Sequence, residues 1–244
     1  MKIKILITSV IVLSTIVITT CFQNIQAQEA MGSSTNVNTL TDENGKRFAK
    51  YSPDNTLYCS TTMVTANIGI TSRHCAGSKY KDGYIGAVYP GQSGVSTPYG
   101  MMNISTYIPN VGIEDIAIIK GKKEDQSPDY AHYMQDLKTI EVNAWSEEKL
   151  RSLKGQKVYS YGYPGNSIGS QQVRSEGEIT DYNPVTKVLT TSIPTVEGQS
   201  GSGVFLKEGN QFLGVLYSRT LDNKGNVAPI DERLKAWFDK NTSQ

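Results

Sequence analysis

Histidine is the scarcest reactive residue in this chain: His74 and His132 are the only two in 244 residues. Any imidazole chemistry therefore has two candidates. His74 ends the run Ile70-Thr71-Ser72-Arg73-His74, directly before Cys75, at the close of a strand-like apolar segment. His132, in Asp129-Tyr130-Ala131-His132-Tyr133, has no such neighbours and reads as a surface residue. A second feature is Glu197-Gly198-Gln199-Ser200-Gly201-Ser202-Gly203, which leads into the apolar run Val204-Phe205-Leu206. Glycine permits the sharp backbone that aims amide N–H groups at one point, although the same composition also makes ordinary turns. A strand-to-helix nucleophile elbow is excluded, because Ser202 stands where that turn needs glycine and no strand–helix alternation surrounds it. The third feature is Glu114-Asp115-Ile116-Ala117-Ile118-Ile119, an acid at the mouth of a strongly apolar strand. A carboxylate buried there needs a partner, and an imidazole N–H is a suitable one; an acid at a wet strand end needs none.

The elements that must position these residues are mostly short β-prone runs broken by Gly, Pro, Asn and Asp. Examples are 63–71, 84–89, 113–120, 157–161, 177–182 and 188–193, a spacing that suggests a barrel or sandwich. The stretch 131–153 is richer in charge, with a helical turn expected around 146–150 capped by Ser146, and it reads as a connection between two halves. Leu234, Trp237 and Phe238 fall at helical spacing behind Asp231, so a terminal helix over 231–239 is expected to dock on the body.

Charge and composition remove several function classes. Twenty-four Lys and Arg against 23 Asp and Glu give a net charge of +1, and five Phe with two Trp offer little for base stacking, so nucleic acid is not expected as a partner. The amino terminus reads as an export signal. Lys2 and Lys4 precede an uncharged apolar run from Ile5 to about Thr20, and Ile25-Gln26-Ala27 predicts cleavage after Ala27. The alternative is lipid modification at Cys21. Either route takes the protein out of the cytoplasm, leaves a mature net charge of −1, and leaves Cys59 and Cys75 to pair. A disulfide there would fasten the strand carrying His74 to the strand before it. No further Cys or clustered His completes a zinc site, so no metal is expected.

Chain order unites the three features. His74, Asp115, Ser200 is the order of chymotrypsin-like proteases; subtilisin-like enzymes and α/β-hydrolases run otherwise. Thr71-Ser72-Arg73-His74-Cys75 resembles the Thr-Ala-Ala-His-Cys signature of that family, with Cys59 at the spacing of its bridge. Asp115-Ile116-Ala117-Ile118 is similar to its Asp-Ile-Ala-Leu strand, and Gly198-Gln199-Ser200-Gly201-Ser202 resembles the serine loop of its bacterial branch. Gly162-Tyr163-Pro164-Gly165 and Gly177-Glu178-Ile179-Thr180 are similar to segments of the staphylococcal glutamyl endopeptidases and Spl proteases of Gram-positive bacteria.

The resemblance implies an all-β fold of two six-stranded antiparallel barrels with a C-terminal helix. The expected organisation is a signal over 1–27, an N-terminal segment and first barrel over 28–121, a connection over 122–149, a second barrel over 150–226, and the helix in 227–244. It implies a secreted, monomeric serine endopeptidase acting on protein or peptide, with no cofactor and no stable membrane association. Ser200 would be the nucleophile, His74 the base, Asp115 the group orienting it, and the Gly198 and Ser200 amides the oxyanion hole. The primary specificity pocket would draw on Pro194, Thr195, Val215, Leu216, Tyr217 and Ser218. Three departures matter. Gln199 replaces the Asp that receives a new amino terminus in digestive zymogens, and Pro194 replaces the Asp of trypsin-like pockets. Leu216 stands where glutamyl endopeptidases carry a carboxylate-binding His, although Thr195 matches their Thr. Arg219 lies nearby and reads as a solvated loop residue. The competing class is a catalytically weak binding protein or exfoliative-toxin-like virulence factor on the same scaffold.

Overall fold

The computed structural model describes residues 32–54, 57–166 and 170–243; the expected export signal, its cut after Ala27 and the alternative at Cys21 lie outside them. No described helix is long and apolar enough to cross a membrane. The first sheet comprises β2 (Phe48–Ser52), β3 (Cys59–Met63), β4 (Ile68–Thr71), β5 (Lys81–Asp82), β6 (Ala87–Pro90), β7 (Met102–Asn103), β8 (Thr106–Pro109) and β9 (Ala117–Lys120). Their order is β5-β8-β9-β4-β3-β2-β6-β7. Residues 104–105 knit β7 to β8: the Ile85 amide donates to the Ile104 carbonyl, the Ile104 amide to Gly86, and the Ser105 amide to Lys120. With β5 and β6 as one bent run and β7 and β8 as another, the ladder wraps into the first barrel.

The second sheet comprises β1 (Ser33–Asn36), β10 (Lys157–Gly162), β11 (Val173–Asn183), β12 (Val188–Pro194), β13 (Gly203–Leu206), β14 (Phe212–Arg219) and β15 (Lys224–Pro229). The order is β1-β11-β10-β13-β14-β15-β12, and β12 also pairs with β11, which closes six strands into a barrel. The fold class read from the sequence is thus the observed one. β1 precedes the first barrel in the chain yet pairs along its length with β11 of the second.

Some expected strands are shorter than their apolar runs. The run 63–71 is the end of β3, a turn and β4, because the Thr65 hydroxyl accepts from the Asn67 and Ile68 amides and bends the chain. The run 113–120 yields only β9, since 110–116 closes as a loop through the Asn110 amide and the Ile116 carbonyl. In the connection, α1 (Pro128–Met134) is an addition to the expected turn, started by Ser127, whose hydroxyl accepts from the Tyr130 amide, with Pro at the first helical position. α2 (Glu147–Ser152) begins where expected, its Ser146 cap accepting from the Lys149 amide. The connection straps both halves: the Ile140 amide donates to Val64, and Trp145 donates from its backbone to Ile230 and from its indole to Phe212. α3 (Glu232–Thr242) is capped by Asp231 and buries Leu234 and Phe238.

Each barrel has its own apolar core, one around Tyr51, Met63, Met102 and Ile119, the other around Val158, Leu189, Val204 and Leu216. Between them runs β3, which is polar in sequence and buried at every position. Its hydroxyls explain this. Thr61 donates to the Ile70 carbonyl, Thr62 accepts from the Gly203 amide, and Ser60 donates to the Gly198 carbonyl. Buried polar groups persist where each finds a partner, and here two of the three partners belong to the serine loop and β13.

Cys59 and Cys75 form a disulfide that ties the start of β3 to the turn after β4, across a sequence separation of 16 residues. Chain-entropy reasoning assigns such a loop about 3 kcal/mol. The Cys59→Ala/Cys75→Ala protein is therefore expected to melt roughly 6–12 °C lower than its parent. An unchanged melting temperature by differential scanning calorimetry would contradict this.

Candidate active site

His74 sits on a single 3-10 turn, Arg73–Cys75, where β4 ends. Its side chain is half exposed, so part of the ring is accessible. Asp115 lies in the loop between β8 and β9 and meets His74 twice. One carboxylate oxygen accepts from the His74 backbone amide at 2.8 Å, and the other lies 2.6 Å from Nδ1 of the ring. The pair fixes which nitrogen carries the proton: Nδ1 donates to the carboxylate, leaving Nε2 as the acceptor. Burial alone would push the Asp115 carboxyl up. Hydrogen bonds from the His74 ring and backbone, with the charges of His74 and Arg73, outweigh that and hold it below the ordinary carboxylate value. Burial raises the Tyr217 hydroxyl pKa, and the Asp115 charge adds to the rise.

The loop bearing Ser200 is held from below by the first barrel. The Ser200 carbonyl accepts from the Ser60 amide at 2.8 Å, and the Gly201 amide donates to Leu216 at 2.7 Å. Gly201 has φ +93°, and a Cβ there would meet the Ser60 carbonyl at 2.0 Å and the Thr71 hydroxyl at 2.3 Å. Only glycine allows both the left-handed backbone and this close approach. The loop therefore rests on β3 and β4, the strands that lead to His74. Among the described residues the Ser200 hydroxyl and the His74 ring are not hydrogen-bonded to each other. Such looseness is ordinary in the absence of substrate.

Gly198 has φ +88°, and its own Cβ position is blocked by the Tyr163 carbonyl at 2.3 Å. The Glu197 carbonyl accepts from the Gly165 amide at 2.7 Å. A planar trans peptide points its C=O and N–H in opposite directions, so this bond turns the Gly198 amide away from Gly165. Among the described residues neither the Gly198 nor the Ser200 amide has an acceptor within the protein. Two unused donors flanking one serine are what a developing oxyanion needs. Gln199 points the other way, buried, with its carbonyl accepting from the Val196 amide at 2.9 Å and its amide reaching the Ser175 hydroxyl at 3.4 Å. Its neutral partners leave no charge there to receive an ammonium.

The expected pocket residues divide by exposure. Thr195, Val215 and Leu216 are buried, whereas Pro194, Tyr217 and Ser218 are half-buried. The Thr195 hydroxyl donates to the Ile193 carbonyl at 3.0 Å. Leu216 packs its Cδ1 and Thr195 its Oγ1 over Gly225, where a Cβ would meet them at 2.5 and 2.8 Å. Arg219 lies 3.9 Å from Glu197 at the rim. His132 is exposed on α1 against Tyr133. The sulfurs nearest His74 are joined to each other, so they are not free to hold a metal ion with it.

Sequence reasoning missed Ser60, which links the halves twice, donating to the Gly198 carbonyl and accepting from the Tyr163 amide. No local signal marks it, since its partners lie 138 and 103 residues away. Gly165, noted only as part of a resembling segment, anchors the Glu197 peptide.

A family model described as a trypsin-like peptidase domain matches residues 59–215. No curated protein matches. Among solved structures, a Glu endopeptidase superposes with a TM-score of 0.69 at 18% identity, covering 89% of this chain and 99% of its own. The protease Anisep from Arthrobacter nicotinovorans gives 0.62 at 16% identity, covering 82% of this chain and 96% of its own. A thermostable serine protease, AL20, from an extremophilic microorganism gives 0.62 at 16% identity, covering 82% and 99%. At such identities the likeness concerns the fold.

Proposed function

This chain belongs to the trypsin-like peptidase family and is a serine endopeptidase, and from that premise we propose that His74, Asp115 and Ser200 are its catalytic triad. The observation that carries the reading is the double grip of Asp115 on His74, through ring and backbone together. Ser200 Oγ attacks the scissile carbonyl while Nε2 of His74 takes its proton and then delivers it to the leaving amine. Asp115 holds the tautomer and stabilises the imidazolium, and water then releases the acyl group by the same route reversed. The Gly198 and Ser200 amides receive the oxyanion, at about 3 kcal/mol per donor in serine proteases generally. The protein acts outside the cytoplasm as a monomer, after removal of residues 1–27.

Its primary specificity, in this reading, is for an uncharged side chain. The solved Glu endopeptidase is named for glutamate. Here Leu216 is buried and carries no donor, and the one hydroxyl proton of Thr195 is given to Ile193. Neither residue offers a substrate carboxylate a hydrogen bond, and desolvating the carboxylate against them costs several-fold in affinity at least. Pro194 likewise offers no anion to Lys or Arg. Digestion of a peptide library by exported, processed protein is expected to give cuts after uncharged residues. Dominant cutting after Glu, or after Lys and Arg, would overturn the specificity reading, and an intact library would overturn the peptidase reading.

A further inference from the structure

Asp115 has a support that the triad itself does not require. Glu114, its neighbour, is a carboxylate buried to 5% exposure, which demands compensation. The compensation comes from far along the chain: Arg233, in the first turn of α3, forms an ion pair with Glu114, and the Asn110 side-chain amide donates to the same carboxylate at 3.2 Å. The loop folds over this pair. A Cβ at Gly112 would meet the Arg233 guanidinium at 2.6 Å and the Glu114 carboxylate at 2.9 Å. A second guanidinium grips the same loop, Arg73 donating to the Asn110 and Gly112 carbonyls, both at 2.8 Å. Asp115 is then pinned between the Glu114 carbonyl and the Ile116 amide that donates to it at 3.1 Å.

We infer that Arg233 is a positioning residue for catalysis: through Glu114 the C-terminal helix holds the 110–116 loop in the one arrangement in which both Asp115 oxygens reach His74. This rests on the triad reading. The consequence is that α3 couples to turnover through a side chain that touches neither substrate nor the reacting atoms. Arg is suited to it, since a planar fork fixes direction as well as charge, which the ammonium of Lys does not. A small misplacement of an orienting carboxylate is enough to slow the chemistry.

The test is a double-mutant cycle on the exported, processed protein, with kcat and KM measured separately and well below the melting temperature. Arg233→Gln is expected to lower kcat about 10- to 100-fold with KM little changed, and Arg233→Lys to recover part of the loss. In an Asp115→Asn background Arg233→Gln is expected to have no further effect on kcat, because the group it positions has already been disabled. If Arg233→Gln does not fold, the same cycle is run with Arg233→Lys, which keeps the charge and loses the fork. An equal loss in both backgrounds would overturn the inference and leave the triad standing, as would variants that lose stability and keep their kcat. An Asp115→Asn protein with normal kcat would instead overturn the triad reading beneath it.

Discussion

Replacing Ser200 with Ala is expected to lower kcat by about five to six orders of magnitude while the protein stays folded and KM changes little. The size follows from what remains: with the nucleophile gone, only the oxyanion amides and substrate binding act, and in serine proteases these leave about 10³–10⁴ over water. The fold should tolerate the change. Among the described residues the Ser200 hydroxyl holds no hydrogen bond, and the contacts that fix the loop are made by the backbone carbonyl and by Gly201. Ser202, two residues on, is not a substitute, since its hydroxyl is buried and faces the backbone near Gly162. A Ser200→Ala protein with more than about a hundredth of normal kcat would show that the chemistry runs elsewhere.

Asp115→Asn is expected to cost about 10⁴-fold in kcat with the geometry largely kept. Both oxygens of the native carboxylate accept hydrogen bonds, one from the His74 amide and one from the ring. An Asn side chain has one acceptor. If its oxygen takes the backbone amide, its NH2 faces Nδ1, and the ring must turn Nδ1 into an acceptor and carry its proton on Nε2. That tautomer cannot take the proton of Ser200. The loss should therefore fall on kcat, with calorimetry showing a protein that still melts cooperatively. A large rise in KM together with loss of the cooperative melting transition would mark Asp115 as structural instead.

Much of the candidate site was legible in the sequence because the proposed chemistry uses rare residues in a fixed chain order. With two histidines to choose from, the neighbours of His74 decide between them, and Asp115 and Ser200 follow within recognisable runs. An all-β fold was legible too, since short β-prone runs and turn residues alternate along the chain, but that spacing left barrel and sandwich open and only the resemblance implied two barrels. Strand ends were not, and the reason is local: the Thr65 side chain turns the chain inside one apolar run, and the 110–116 loop takes the first half of another. α1 carries its signal in Ser127-Pro128, a cap followed by a preset first residue, inside the segment expected as a connection. What could not be read is the support of the site. Ser60 meets the serine loop across the barrel interface and Arg233 meets Glu114 from the last helix, and neither pairing leaves a trace in the spacing of nearby residues. Leu216 shows the intermediate case. Its type already argues against a carboxylate pocket, but its burial, and the donation of the Thr195 proton to Ile193, are facts of packing.

The central claim is that Ser200 is a nucleophile made reactive by His74 and Asp115. The most direct measurement is the intact mass of the exported, processed protein after exposure to an organofluorophosphate, with peptide mapping of the adduct. One adduct per chain, on Ser200, is the predicted result, absent from the denatured protein and strongly slowed in Asp115→Asn. A folded protein that takes up no adduct, or takes it up on a serine other than Ser200, would contradict the account.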